Sequence, residues 1–549
     1  MITANIASHL PVMAKKQADT YAVVKQNKSK NKPYDIAYTY KQLDETSDLI
    51  ANGLEEFGIK KGTRTVLMVK PGLDFFALVF ALFKLEAVLV AVDPGMGIKN
   101  LGKCLQEAEP EAFIGNATAH SARLALRWSK KTIRKTVLVG SKSLLNLLVT
   151  DLNKIKKLGK TSQRKLIDTK AEDIAAILFT SGSTGVPKGV VYTYANFTAQ
   201  VDALKQLYNI QPGEIDLATF PLFALFSPAL GMTSIIPMMD FTKPGSVDPK
   251  NIIDAITQYK CTNMFGSPAL LNRVGKWAEN KGLKLDSLKR VLSAGAPVAP
   301  SVLNRFQSLL NNNAQIFTPY GATESLPISS IGSKEILKET AKDTANGKGV
   351  CVGQPVSNLD MRIIKLNNDV ISEWSDELEL PVNKIGEICV KGSQVTRTYF
   401  NRNKATALAK IRSEDGFYHR MGDVGYIDGQ DRLWFCGRKN QCVITKSEIL
   451  FTICCEGIFN AHPFVFRTAL VGARINGEII PVICVELEQE HKRFNKADLI
   501  QELMVIGSSH PETRNIKHIL FHSGFPVDIR HNAKIGRESL SKWATEELR

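Results

Sequence analysis

The sequence predicts an α/β fold: a large N-terminal domain of layered α/β subdomains with a β-rich patch, followed by a small α+β C-terminal domain. Three observations predict it. Apolar runs of strand length alternate with capped helical segments through most of the chain, as βα units with parallel sheet require. The 549 residues suffice for two or three domains and a large core. A boundary falls near Gly437-Arg-Lys-Asn440, and the residues beyond it carry strands and helices enough for a core of their own. The division is therefore expected at 1–438 and 439–549.

The elements follow in order. Leu73 to Val92 is the most apolar run, but Asp74, Lys84 and Glu86 interrupt it. It reads as a buried helix over 74–84 and a buried strand over 87–92, not as a membrane span, which needs about 20 apolar residues. Ile174 to Phe179 is a buried strand. Asp248 caps a helix reaching about Lys260, which feeds a strand over 262–265. Ser267 as N-cap, Pro268 at the first helical position and Gly282 past the end frame a helix over 268–281, and Val291 to Ala294 is the strand after it. Gln315 to Pro319 is a further strand. Residues 334–348 are polar and poorly patterned, so a surface loop is expected. The Asn- and acid-rich 366–384 leads into the β-rich patch at 385–391. In the last unit, strands are expected over 442–445, 468–472 and 479–487, and helices over 452–461 and 496–506.

Composition excludes several classes. With 44% hydrophobic and 23% charged residues the chain reads as soluble and globular, and Met1 to Lys16 lacks a charged-then-apolar leader pattern. Nine scattered cysteines without metal-binding spacing imply free, buried thiols in a reducing cytosol, hence a cytoplasmic protein. The net charge is +16, with basic runs at 15–16, 25–32, 130–135 and 154–165. They lack interleaved aromatics or a nucleic-acid motif, so no nucleic-acid partner is expected. They read as solvated faces, with attraction to acidic lipid or an anionic substrate as the alternative.

The chemistry begins at Thr180-Ser-Gly-Ser-Thr-Gly-Val-Pro-Lys-Gly189, directly after the strand at 174–179. Glycines let backbone N–H groups converge, hydroxyls add neutral donors and Lys188 adds a charge. Such a stretch alone would be a flexible loop, and no Gly-Lys-Ser/Thr makes it a Walker loop. The whole string closely resembles the phosphate loop of the ANL superfamily of acyl-adenylate-forming enzymes. The resemblance covers nearly the whole chain and implies ATP and Mg²⁺ as cofactors. It implies nucleotide-phosphate binding by Thr180, Ser181, Gly182, Ser183, Thr184, Gly185 and Lys188.

Further motifs carry the same resemblance. In Tyr320-Gly-Ala-Thr-Glu324 it implies Tyr320 and Gly321 at the adenine, Thr323 at the α-phosphate and Glu324 as the Mg²⁺ ligand; a carboxylate at a strand end suits Mg²⁺ beside phosphates. Ser293-Ala-Gly-Ala-Pro297 resembles the segment lining the adenine pocket, which assigns Gly295, Ala296 and Pro297 to it. Asp423 and Arg438 fall where ribose and phosphate are held; Met421 stands where the family usually has Thr. Asn440 occupies the hinge about which the family's small, mobile domain turns between half-reactions. Lys534, in Arg530-His-Asn-Ala-Lys-Ile-Gly536, resembles the lysine that neutralises charge as carboxylate attacks the α-phosphate. Lys534, Glu324 and Thr323 are the expected catalytic residues.

Two departures bear on the second step. Acyl-CoA ligases commonly carry a His beside the acyl pocket; here Phe220-Pro-Leu-Phe-Ala-Leu-Phe-Ser-Pro-Ala-Leu-Gly231 has none. After the hinge, Ser447 stands where a Gly is expected. Phe220 to Gly231, with Val92 to Gly97, Leu450 to Glu456, Phe459 to Pro463 and Pro526 to Lys534, closely resembles the β-lactone synthetases of bacterial olefin biosynthesis. That branch implies a long-chain 2-alkyl-3-hydroxy fatty acid, activated as acyl-AMP and closed by its own β-hydroxyl with release of AMP and pyrophosphate. The alternatives are a long-chain fatty-acid–CoA or acyl-carrier ligase, and a catalytically silent nucleotide- or partner-binding protein; the filled positions Lys188, Glu324, Asp423, Arg438 and Lys534 argue against the last. His419 and His531 are candidate bases for the hydroxyl proton, and the leaving phosphate could serve instead. Peripheral membrane or pathway-enzyme association and a homodimer are compatible with the branch.

Overall fold

The computed structural model describes residues 4–27, 36–140, 144–164, 169–180, 187–220, 226–488, 495–527 and 534–549. Two large sheets dominate. A seven-stranded sheet runs Thr150–Asp151, Lys135–Leu138, Ala112–Gly115, Arg64–Met68, Val88–Val92, Ile174–Thr180 and Lys188–Thr193 in space. Every pair is parallel except the last, a hairpin in which Thr180 lies opposite Lys188. The expected phosphate-loop residues Ser181 to Gly185 join those two strand ends and lie outside the described residues.

The second sheet has 14 strands. Its parallel half runs Tyr21–Lys25, Thr233–Ile236, Ile215–Leu217, Asn263–Phe265, Arg290–Leu292 and Gln315–Ala322. It continues antiparallel through Ser325–Gly332, Val350–Pro355, Leu433–Arg438, Gly416–Ile427, Gly386–Gly392 and Leu359–Ile364. The antiparallel part contains the β-rich patch expected from 385–391.

The capping signals act as the sequence implies. Ser267 accepts from the Leu270 N–H at the start of Pro268–Glu279, and Asp248 accepts from the Lys250 N–H before Pro249–Tyr259. The run at 73–92 forms the helix Leu73–Lys84, buried from Phe75 onward, and the strand Val88–Val92. Lys84, one of the charges that interrupts the run, is buried with its Nζ 2.6 Å from Asp44 and 2.6 Å from Asp48. All nine cysteines are free thiols and all but Cys442 are buried.

The expected surface loop at 334–348 is instead helical: Ser333–Glu335, a π-turn at Ile336–Thr340 and Ala341–Ala345. Ser333, a buried residue, donates to Gln307 at 2.7 Å, and Ile336 and Leu337 pack against the core beneath the parallel strands. The polar composition concealed two apolar anchors, and their tertiary contacts outweigh weak periodicity.

Beyond Arg438 the chain builds a separate three-stranded sheet, Val465–Ile475, Glu478–Leu487 and His518–Phe521. Helices Thr452–Phe459 and Lys496–Ser508 cover one face and Arg537–Glu547 the other. The strand expected over 442–445 is the short pair Val443–Ile444 with Ile449–Leu450. This unit rests on the large sheet through Thr452–Phe459, which packs against Leu433–Arg438 and Ala341–Ala345. The approach is close: a Cβ on Gly457 would collide with the Thr344 carbonyl, and one on Gly347 would stand 2.9 Å from Ile458 Cδ1.

Candidate active site

A cleft of about 2710 Å³ opens where the two large sheets and the last unit meet. Pockets for one drug-sized ligand run to about 300–1,000 Å³, so this space exceeds what a nucleotide alone would fill. Lys188, Gly295, Ala296, Pro297, Tyr320, Gly321, Thr323, Glu324, Asp423, Arg438, Asn440 and Lys534 all line it. Residues separated by more than 300 positions thus converge. Thr180 ends its strand as expected, and Ser181, Gly182, Ser183, Thr184 and Gly185 are not among the described residues.

Local structure positions each group. Thr323 and Glu324 form the turn between Gln315–Ala322 and Ser325–Gly332. Backbone contacts pin this turn from both sides: Tyr192 donates its hydroxyl to the Thr323 carbonyl, and Thr396 donates its N–H to the Glu324 carbonyl at 2.9 Å and its hydroxyl at 3.1 Å. Gly321 makes the turn fit, since a Cβ there would lie 2.5 Å from the Ser325 carbonyl oxygen. The Glu324 carboxylate accepts from Tyr399 Oη at 2.7 Å, and the Tyr399 ring faces Lys188 with Nζ 4.8 Å from its centroid. Lysine, aromatic ring and carboxylate therefore form one connected group.

Asp423 and Arg438 are direct partners across adjacent antiparallel strands. Their side chains pair at 2.8 Å, and Tyr320 donates its hydroxyl to the other Asp423 oxygen at 2.7 Å. Burial pushes the Asp423 carboxyl upward, and the Arg438 guanidinium opposes that shift. One carboxylate oxygen thus accepts a hydrogen bond, while Oδ1, held only in the ion pair, has no hydrogen-bond partner among the described residues and is open to a further hydroxyl. Gly295 holds φ +97°, a conformation open to glycine and strained for other residues, as the chain turns out of Arg290–Leu292. Beside it Ser293 is buried in the cleft wall, and its Oγ finds no partner among the described residues. An unsatisfied buried hydroxyl of this kind fits a polar ligand such as a nucleobase.

Among the described residues no group of three or more His, Cys, Asp or Glu could hold a metal unaided. Glu324 alone suits Mg²⁺ that is shared with substrate phosphates, the usual protein contribution to such sites. The segment around Asn440 is anchored on one side: Lys439 pairs with buried Glu387 at 3.0 Å, and Glu387 also pairs with Arg420 at 2.7 Å. On the other side Arg537, three residues after Lys534, donates to Gln441 at 3.2 Å and pairs with Glu456.

Sequence reasoning missed Tyr192, Thr396, Tyr399 and Lys410. Lys410 is partly buried, donates to the Thr396 carbonyl, and has its Nζ 4.8 Å from the Phe417 ring centroid. Burial pushes its ammonium down to about 7, while the Glu324 charge raises it. No periodicity or motif marks these residues, which matter only through contacts distant in sequence. His419 is buried with Nδ1 3.1 Å from the Ala409 carbonyl, and burial holds it well below the usual histidine range. It does not line the cleft, which removes it as a base for a substrate hydroxyl. His531 lies outside the described residues.

Residues 11–400 match the family described as AMP-binding enzyme. The olefin beta-lactone synthetases of Xanthomonas campestris pv. campestris and Stenotrophomonas maltophilia are each 46% identical, over 99% of this chain and 98% of their own. ATP-bound MatB from Rhodopseudomonas palustris superposes over 100% of both chains with a TM-score of 0.78 at 18% identity, a likeness of fold.

Proposed function

We propose, on the premise that the chain belongs to the AMP-binding enzyme family, that it is an ATP-dependent adenylate-forming β-lactone synthetase acting on a long-chain 2-alkyl-3-hydroxy fatty acid. The observation that carries this reading is the 46% identity across nearly the whole of two olefin beta-lactone synthetases. The assembly of Lys188, Tyr320, Glu324, Asp423, Arg438 and Lys534 around one cleft supports it.

A carboxylate oxygen of the substrate attacks the α-phosphorus of ATP, and the bond to the β-phosphate bridging oxygen breaks. Pyrophosphate leaves and acyl-AMP remains. Lys188 and Lys534 offset the charge that accumulates on the phosphates, and the Asp423–Arg438 pair holds the ribose side. Glu324 would hold Mg²⁺, which when bound supplies further charge neutralisation at the phosphates. The β-hydroxyl oxygen then attacks the acyl carbon, the acyl–phosphate bond breaks, AMP leaves, and the hydroxyl proton passes to the departing phosphate. An internal nucleophile gains from proximity and needs no second substrate. It also fits the absence of His in 220–231 and Ser447 where relatives carry Gly.

In the same reading 1–438 is the adenylation domain, and the unit at 439–549 turns about Asn440. Exposed Leu124 and Leu126 beside the basic stretch at 127–135 would favour contact with an anionic lipid surface. No helix among the described residues is long and apolar enough to cross a membrane.

The test supplies purified protein with Mg-ATP and a long-chain 2-alkyl-3-hydroxy acid, with and without coenzyme A, and follows the organic extract by NMR. A β-lactone formed with AMP in the absence of coenzyme A is the expected outcome. An acyl-CoA formed only when coenzyme A is present, with no lactone, would overturn it.

A further inference from the structure

Consecutive residues on a strand point to opposite faces of its sheet. Three adjacent strands of the seven-stranded sheet nevertheless give consecutive residues to the one cleft: Leu67 and Met68, Ala91 and Val92, Leu178 and Phe179. Leu67, Leu89 and Leu178 belong with the apolar cluster that includes Phe75, Val79 and Phe197, on the face covered by Leu73–Lys84. Met68, Val92 and Phe179 belong with the opposite cluster, which includes Leu101, Trp128, Ala119 and Ala122. The cleft therefore reaches round the carboxyl ends of the strands and has apolar lining on both faces.

Topology explains the fork. Arg64–Met68 has Val88–Val92 on one side and Ala112–Gly115 on the other, so the strand order reverses there. The helix after Arg64–Met68 covers one face, and those after Val88–Val92 and Ala112–Gly115 cover the other. A crevice opens at such a switch point, outside the carboxyl ends of the strands. The second arm has a fixed wall: Trp128 is buried and packs on Gly102, where a Cβ would stand 3.0 Å from its Nε1. Ala119 and Ala122, three apart on Ala117–Ala125, are the small residues facing it.

We propose that the two arms bind the two alkyl chains of the substrate, one on each face of the seven-stranded sheet, with the second chain lying against Met68, Leu101, Ala119, Ala122 and Trp128. This assignment rests on the two-chain acid of the proposed reaction. Its chains leave adjacent tetrahedral carbons and diverge, so a single straight tunnel cannot take both, whereas a fork around a sheet edge can.

The full chain is assayed by pyrophosphate release over a grid of 2-alkyl-3-hydroxy acids in which the 2-alkyl chain and the chain on C3 are lengthened separately. Ala122→Phe fills the second arm and Ala91→Phe the first; Ala119→Leu is a milder filling of the second, for use if Ala122→Phe fails to fold. The expected result is a KM ratio, long acid over short, that rises at least tenfold along one chain axis for the second-arm variants and along the other axis for Ala91→Phe. If the wild type accepts two-chain acids and neither second-arm variant shifts either axis, the two-arm assignment falls and the reaction class stands. If the wild type accepts only unbranched acids, the two-chain substrate falls and the assignment with it.

Discussion

Lys534 reaches the cleft from the last unit of the chain, while Lys188 is fixed from the first sheet beside Tyr399. A cation whose work is confined to the moment of phosphoryl displacement should matter for rate more than for nucleotide binding. Lys534→Ala should lower pyrophosphate release by two or more orders of magnitude, while equilibrium ATP binding stays within a few-fold; unchanged turnover would remove its role. Lys410 makes a different prediction. Its buried ammonium sits at about 7, against about 10.4 in an unfolded chain. Between those values the unfolded state binds more protons, so this group makes stability rise with pH from about 7 to about 10, and its full penalty stands below 7. Urea unfolding of Lys410→Met should lack that rise, with a difference from wild type on the order of a few kcal/mol that shrinks toward pH 10. A difference independent of pH would mean the buried charge is not there. Lys84, by contrast, is buried with two carboxylates, and Lys84→Ala should cost roughly 3–5 kcal/mol by leaving them uncompensated.

Helices with strong end signals were legible in the sequence. Ser267 and Asp248 are capping residues whose side chains find the expected N–H groups, and Gly282 holds φ +61° past the end of its helix. The segment 333–348 was not, because its helical turns are held by Ser333 on Gln307 and by two apolar side chains rather than by an amphipathic stripe. That segment bears directly on the docking of the last unit, since Thr344 meets Gly457 of Thr452–Phe459. Helix propensity alone says that Gly457→Ala should stabilise by about 1 kcal/mol. The collision with the Thr344 carbonyl predicts the opposite sign. Thermal unfolding and pyrophosphate release should both fall in this variant; a stabilised protein with full activity would show that the helix does not need this seat.

At the scale of the molecule, the nucleotide motifs were readable because each is a short local string, whereas the cleft that unites them is a product of topology. Tyr192 on one side and Thr396 and Tyr399 on the other converge on the turn at Thr323–Glu324 from two stretches some two hundred residues apart, so no local reading could have assembled them. The same convergence makes the ligand a brace between sheets. A nucleotide analogue at about a hundred times its dissociation constant should stabilise by about 2.7 kcal/mol, read as a rise of about two degrees in Tm for a chain of this length. The long sheet also sets a timetable. Its strand Tyr21–Lys25 pairs with Thr233–Ile236, which the ribosome makes some two hundred residues later. Ala37–Thr39 covers one edge almost at once, but at about 5–20 residues per second the other edge must wait on the order of ten to forty seconds for its partner. Buried Ala22, Val23 and Val24 then lie on a two-stranded apolar ribbon with one open edge, a target for chaperones and for neighbouring polysomes. The yield of active protein should therefore depend on translation rate and chaperone supply more steeply than its equilibrium stability would indicate.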